Sequence, residues 1–373
     1  MDTVEPAPST RDVDAVRDAC TRFLAWHGRP RPKETLVALA DATRADLRPD
    51  HYGKGAVLEE LEAEVADLLG KPAAAFMPSG TMAQQIALRI WADRSGVRTV
   101  AFHPTCHLEV HEDKAYEYLH RLHGRLVGDS NDLITLEQLQ QIPEPLAALV
   151  LELPQRPLGG RLPEWDDLVA QTDWARGAGV ALHLDGARLW ETAPYYRRPY
   201  AEIAGLFDTV YVSFYKGLGG IAGCCLAGPE DVIAESRVWQ RRHGGSLFHL
   251  YPYALAARAG LQARLGRMGD YYAKALEIAE ALRGLPDLEV VPDPPQVPMM
   301  HLRLRTSETA LREAALDLAE ETGIWTFADS RPSESPGWRR VELTIGDATM
   351  TFSGADVRRL FDRLLAARDV AGT

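Results

Sequence analysis

Lys216 ends the run TVYVSFYK and opens a glycine-rich turn, GLGG. At the end of a buried strand an ammonium is poorly hydrated. That lowers its pKa and favours the neutral amine that forms a Schiff base with a carbonyl. The glycines beyond it allow backbone to approach a bulky ligand closely, and Ser213, three residues earlier, offers a hydroxyl to a phosphate. Taken alone, Lys216 reads more simply as a solvated loop lysine. Asp185 ends a second apolar run, VALHLD. A carboxylate there is costly unless paired. Its partner is either a structural cation or the protonated nitrogen of a pyridine ring, which makes such a ring a better electron sink. Arg188, three residues on, has the planar fork that suits a carboxylate, although an isolated arginine is more often an ordinary ion-pair residue.

Two further segments carry candidate groups. In FMPSGTMAQQIAL (76–88) a strand gives way to Ser-Gly-Thr and then a helix. Gly80 frees the backbone, Thr81 adds a hydroxyl, and the helix start supplies N–H groups and a positive dipole end, which together outline a phosphate site. The alternative is a plain helix cap. His103, His107 and His111 recur at intervals of four, with Cys106 and Glu109 among them, as a metal site would require. Pro104 and the preceding strand disfavour one helix holding all three, so the expectation is one functional histidine and no metal.

The elements that must position these groups follow from the apolar pattern. Short apolar runs at 100–103, 148–153, 180–185, 209–214 and 223–228 alternate with helical stretches, as in an α/β domain whose mostly parallel strands are buried on both faces. Residues 57–70 form an amphipathic helix with Leu58, Leu61, Val65, Leu68 and Leu69 on one stripe and Gly70 as its stop, and residues 11–28 are a further helix candidate. A helical region runs from 250 to about 283. The Pro-rich stretch 290–298 connects it to MMHLRLR, a helix at 307–322, IWTF, RRVELTI and a last helix from Gly354, a layout that predicts a smaller α+β domain. The expected division is a flexible tail at 1–12, a large domain at 13–255 and a small one at 256–373. A phosphate cradle, an imidazole, an acid and a lysine, each at a strand end of one α/β domain, are what a pyridoxal phosphate pocket requires, and open α/β sheets place ligands at the carboxyl ends of strands.

The 373 residues carry a formal net charge of −12 with the acidic residues dispersed, which argues against a nucleic-acid partner. Four cysteines show no disulfide framework, so a reducing cytoplasm is the expected compartment. No run of about 18 apolar residues indicates a membrane span, and the polar start MDTVEPAPSTRDVD has no apolar signal core.

The stretches YGKGAVLEELE, FMPSGTMAQQIAL, HLDGARLWE and YKGLGGIAGCCLAG, in this order over residues 50 to 245, resemble the threonine aldolase and β-eliminating lyase family of fold-type I, aspartate-aminotransferase-like enzymes. The resemblance implies a pyridoxal phosphate enzyme with Lys216 as the Schiff-base lysine and Asp185 as the pyridinium partner. It places Gly80 and Thr81 at the phosphate, His107 on the cofactor ring and as a candidate base, and Arg188 at the substrate carboxylate. Arg340, with Arg339 as an equal neighbour, would be a second carboxylate-binding arginine. Tyr52 would be shared across a subunit interface, with Arg241 or Arg242 reaching a neighbour's phosphate, so a homodimer or homotetramer is expected. The implied reaction is retro-aldol cleavage of a β-hydroxy-α-amino acid to glycine and an aldehyde.

The chain departs from the family at two places that bear on chemistry. Tyr215 precedes the lysine where a serine is usual. Gln155 follows the strand-end Glu where the family has a histidine near the substrate hydroxyl, and an amide cannot act as a base at neutral pH. A β-eliminating lyase or a transaldolase-like synthase on another amino acid therefore stands beside the aldolase reading. Further off are a dinucleotide-binding oxidoreductase, for which GLGGIAG would need a following helix, and a non-catalytic binding module.

Overall fold

The computed structural model describes residues 11–327 and 329–371, the side chains of 367–371 excepted; of the expected tail, residues 1–10 lie outside the described residues. The chain divides into two compact units, Arg31–Met268 and, with the residues up to Pro30, Gly269–Thr373. The boundary thus falls later than the expected 255, and residues 13–30 belong with the C-terminal unit. The second difference has a physical cause. Arg22–Phe23 pairs in parallel with Ile324–Trp325, which also ends the expected 11–28 helix early: only Val13–Ala19 is helical, and Cys20 is already extended. Past residue 255 the chain stays with the larger unit, where the Arg264 guanidinium donates to the Leu218 carbonyl at 2.8 Å.

The larger unit is built on seven strands: β1 (Ala73–Met77), β2 (Thr99–Phe102), β3 (His123–Leu126), β4 (Ala148–Glu152), β5 (Ala181–Gly186), β6 (Thr209–Ser213) and β7 (Cys224–Gly228). Their order across the sheet is β1-β7-β6-β5-β4-β2-β3. Pairing is parallel from β6 to β3, while β7 runs antiparallel to both its neighbours. β1 therefore points the same way as β6. The carboxyl ends of β1, β2, β4, β5 and β6 share one edge of the sheet, and β7 begins there.

Every residue of β6 and β7 is buried, as the uninterrupted apolar runs require. The edge strand β3 (HGRL) is exposed along its length. It has no apolar run and was not foreseen. Helix α1 (Ala56–Leu69) buries Leu58, Leu61, Val65 and Leu69 and ends at Gly70 in the left-handed conformation, φ 59°. Within that stripe Glu62 is also buried, because its carboxylate accepts from Phe76 N at 2.7 Å and from the Arg237 guanidinium at 2.7 Å. Helix α2 (Gly80–Ser95) and helix α3 (Glu230–Arg242) lie on the sheet through Ile86, Ile90, Val232 and Ile233 against Ala75, Met77, Tyr211 and Leu226. Each such fully buried side chain contributes roughly 1.5–3 kcal/mol.

The C-terminal unit holds an antiparallel sheet ordered Arg331–Pro332, Trp338–Thr344, Met299–Arg305, Leu288–Val291, with helices Glu308–Thr322 and Gly354–Ala371 packed on each other. This is the expected α+β layout, with the Pro-rich stretch beginning inside a strand. In the helical region from 250, helices Tyr251–Arg264 and Met268–Leu282 are separated by a short 3₁₀ turn at Leu265–Arg267.

Candidate active site

The shared strand edge collects the candidate residues. Glu152 and Asp185 are register partners at the ends of β4 and β5, and Asp185 is in turn opposite Tyr211 of β6. Ser213 closes β6, and Lys216 follows in the turn that leads to β7. Because β7 returns antiparallel, the chain reverses at 214–223 beside the sheet edge, and Lys216 sits in that reversal.

Helix α2 organises the site. Its first residue, Gly80, has no room for a side chain: a Cβ there would lie 2.1 Å from the Tyr211 hydroxyl oxygen. Ser79 stands at the N-cap without a side-chain capping bond. One turn further on, two buried glutamines point to different parts of the site. Gln84 Nε2 donates to Asp185 Oδ2 at 2.9 Å, and Gln85 Nε2 donates to Glu112 at 3.0 Å. Glu112 in turn accepts from His107 Nδ1 at 2.8 Å. With Nδ1–H given to a buried carboxylate, the His107 Nε2 lone pair is left as the acceptor of a half-exposed imidazole, the orientation a general base needs.

Asp185 is 2% exposed. Gln84 serves one of its oxygens, and Ala187 N donates to the other at 3.1 Å. Burial lowers the pKa of the Lys216 amine. The Asp185 charge opposes that lowering and the Arg188 charge adds to it. Lysine, acid and arginine thus share one electrostatic environment. Arg188 is buried and ion-paired to Glu191 at 3.0 Å, and Glu191 lies so close to Gly217 that a Cβ there would be 2.6 Å from its Oε1. The glycine after the lysine is therefore required by the arginine's own partner.

Other candidates fall differently. The Ser213 hydroxyl donates to the Ala187 carbonyl at 2.7 Å. In this arrangement its proton is engaged within the Asp185 turn. Gln155 is buried, its Nε2 3.1 Å from Thr105 Oγ1 and 3.3 Å from His103 Nδ1. His103 has its Nε2 at the carbonyls of Asp129 and Asp132, and among the described residues no group of three ligating side chains could hold a metal. Tyr52 is exposed, has φ 51°, and sets its ring edge-on to the exposed Phe248. Arg241 and Arg242 are both exposed, with Arg242 over the Trp239 ring. Arg340 and Arg339 lie in the C-terminal unit. Arg340 pairs with Glu334 and Arg339 with Glu308, each at 3.0 Å, and as successive strand residues they face opposite sides.

Sequence reasoning missed Gln84, Gln85, Glu112, Glu191 and Glu152. Burial pushes the Glu152 carboxyl well above the usual carboxylate range, and the neighbouring Asp185 charge pushes it further. Its Oε1 accepts from Arg156 N at 3.1 Å, and its Oε2 is buried without a hydrogen-bond partner among the described residues.

An open, mostly parallel sheet with lysine, acid and phosphate-type cradle at its carboxyl edge defines a fold-type I architecture. The chain belongs to the β-eliminating lyase family, whose model matches residues 34–305. It is similar to a candidate L-allo-threonine aldolase from Listeria monocytogenes, 38% identical with a TM-score of 0.90 over 95% of this chain and 99% of that one. It is similar also to a candidate aromatic amino acid β-eliminating lyase/threonine aldolase from Exiguobacterium, 41% identical, TM-score 0.89, over 94% and 99%. The aldolase vrtJ of Penicillium aethiopicum is 31% identical over 67% of this chain and 66% of its own length, just under two thirds.

Proposed function

We propose that this chain is a pyridoxal phosphate enzyme that cleaves a β-hydroxy-α-amino acid to glycine and an aldehyde. The observation that carries the reading is the buried Asp185 carboxylate, held by Gln84 and Ala187 N, in the same electrostatic environment as a lysine whose pKa is lowered by burial. The residues fit the cofactor. Asp185 matches a pyridinium nitrogen, the side-chain-free Gly80 and Thr81 at the start of α2 match a phosphate, and Lys216 in its neutral form is the nucleophile for the aldehyde. When bound, the cofactor supplies an electron sink for the bond broken at the α-carbon.

The chain's own residues do the rest. Arg188, oriented by Glu191, holds the substrate carboxylate and so fixes which bond of the α-carbon is presented for cleavage. His107 Nε2, set by the Glu112 hydrogen bond on its other nitrogen, takes the β-hydroxyl proton. The similarity to aldolases and to an L-allo-threonine aldolase candidate supports the substrate class. Replacing Lys216 with Ala should lower turnover by roughly four orders of magnitude or more and remove the violet-region absorbance of the cofactor-loaded protein; normal turnover would sink the assignment. Product analysis on L-allo-threonine, threonine, serine and a β-chloro-alanine decides the reaction. Glycine plus aldehyde supports cleavage. Pyruvate and ammonia from the chloro compound alone supports β-elimination, the second reading, which Gln155 favours because it puts an amide where an aldolase has an imidazole.

A homodimer or a pair of dimers with shared sites, in the cytoplasm, completes the proposal. Exposed Tyr52 and Phe248 and the exposed Arg241 support the first part, four free cysteines the second. Among the described residues no helix is long and apolar enough to cross a membrane.

A further inference from the structure

Two phenols stand at the start of helix α2, and neither is explained by the chemistry above. The Tyr211 hydroxyl occupies the space a side chain on Gly80 would take. The Tyr215 hydroxyl lies 3.5 Å from it, and Tyr215 is the residue immediately before Lys216. Tyr211 is fully buried, whereas Tyr215 is 36% exposed, so of the two it is Tyr215 that a ligand can reach. Its electrostatic neighbours are Tyr211, Cys224, Asp185 and Glu112, groups that reach from the acid of the site to the carboxylate behind His107.

Burial raises both phenols above their ordinary pKa, so both keep their protons at neutral pH. Either hydroxyl can donate in the contact between them, and with Tyr211 as the donor the Tyr215 proton is left to give away. The hydroxyl expected to serve a phosphate from this strand end, Ser213, has already donated to Ala187. A phosphate carrying close to two negative charges at the start of a helix gains most from donors of this kind, and a hydrogen bond to a charged group contributes about 1.5–3 kcal/mol.

Building on the reading of this site as a pyridoxal phosphate pocket, we propose that the Tyr215 hydroxyl is a donor to the cofactor's phosphate, positioned by Tyr211 against Gly80. In this chain the tyrosine before the lysine then supplies a donor to the phosphate while the Ser213 hydroxyl bonds Ala187.

The test measures cofactor affinity, not turnover. Apo-enzyme of the wild type and of Tyr215→Phe is titrated with pyridoxal phosphate and, separately, with pyridoxal, which lacks the phosphate, and binding is followed by quenching of tryptophan fluorescence. Tyr215→Phe should raise the dissociation constant for pyridoxal phosphate about tenfold and leave that for pyridoxal unchanged. Tyr211→Phe, which removes the positioning contact, should give a smaller loss of the same kind. Equal weakening toward both ligands would place Tyr215 on the ring or on the lysine and overturn the phosphate assignment. Unchanged affinity for both would overturn it as well. If the wild type itself takes up no pyridoxal phosphate, the functional reading beneath the proposal fails first.

Discussion

Asp185 and Glu152 are both carboxylates, adjacent in register at the ends of neighbouring parallel strands, yet the fold treats them oppositely. Asp185 receives one donor on each oxygen, from Gln84 and from its own turn. Glu152 receives one backbone N–H, keeps a bare buried oxygen, and faces the charge of Asp185. The difference teaches that a strand end does not by itself make a functional acid. The donors brought to it set the two neighbouring carboxyls apart, and burial first, then the Asp185 charge, pushes the Glu152 carboxyl well above the usual carboxylate range.

That contrast can be broken at three places. Asp185→Asn removes the charge that the site is arranged around and should lower kcat roughly a thousandfold while leaving the fold intact by circular dichroism. A loss of less than tenfold would mean that Asp185 is structural. Gln84→Leu makes Asp185 resemble its neighbour by stripping one donor. The unmet hydrogen bond is worth about 1–3 kcal/mol, so kcat/KM should fall about tenfold, with Gln84→Glu no rescue because it sets a second carboxyl against the first. Glu152→Gln imitates the protonated side chain and should change turnover at pH 7 by no more than about twofold.

Glu152 also has a stability signature. Folded Glu152 holds its proton where the unfolded chain, with an ordinary value of about 4.3, has released it. Between that pH and the raised folded value the unfolded state binds fewer protons, so the wild type loses stability as pH rises. Melting temperatures of Glu152→Gln and wild type should therefore diverge in favour of the variant from about pH 5 upward. A constant difference across pH would show that Glu152 ionises normally.

Much of the fold was legible because the central strands are apolar on both faces. The runs at 209–214 and 223–228 are too short for helices and too uniformly apolar for a half-exposed sheet, and so fit buried strands. β3 escaped because an edge strand needs no apolar residues, and residues 13–30 were misplaced because two-residue pairing with a segment three hundred positions away leaves no local mark. In the candidate site, Lys216, Asp185 and Arg188 announced themselves by lying at or just past strand ends. Their partners did not, since Gln84 finds Asp185 across 101 positions. One signal was present: Gln84 and Gln85 interrupt a helix whose neighbours Ala83, Ile86, Ala87 and Leu88 are apolar. Two consecutive amides in a helix that buries most of its residues must each be answered by a polar partner. The Ser213 bond to Ala187 was equally hidden, because only the folded turn supplies that carbonyl.

The antiparallel return of β7 has a consequence in time as well as space. The segment that carries Lys216 closes over residues 214–223 alone, a loop of the length that forms on the order of 10–100 ns in an unfolded chain. The Gln84–Asp185 contact must close about a hundred residues, with the larger entropy that entails. The turn that carries Lys216 is thus a local closure, whereas the donor on Asp185 Oδ2 arrives only with a contact made across 101 positions.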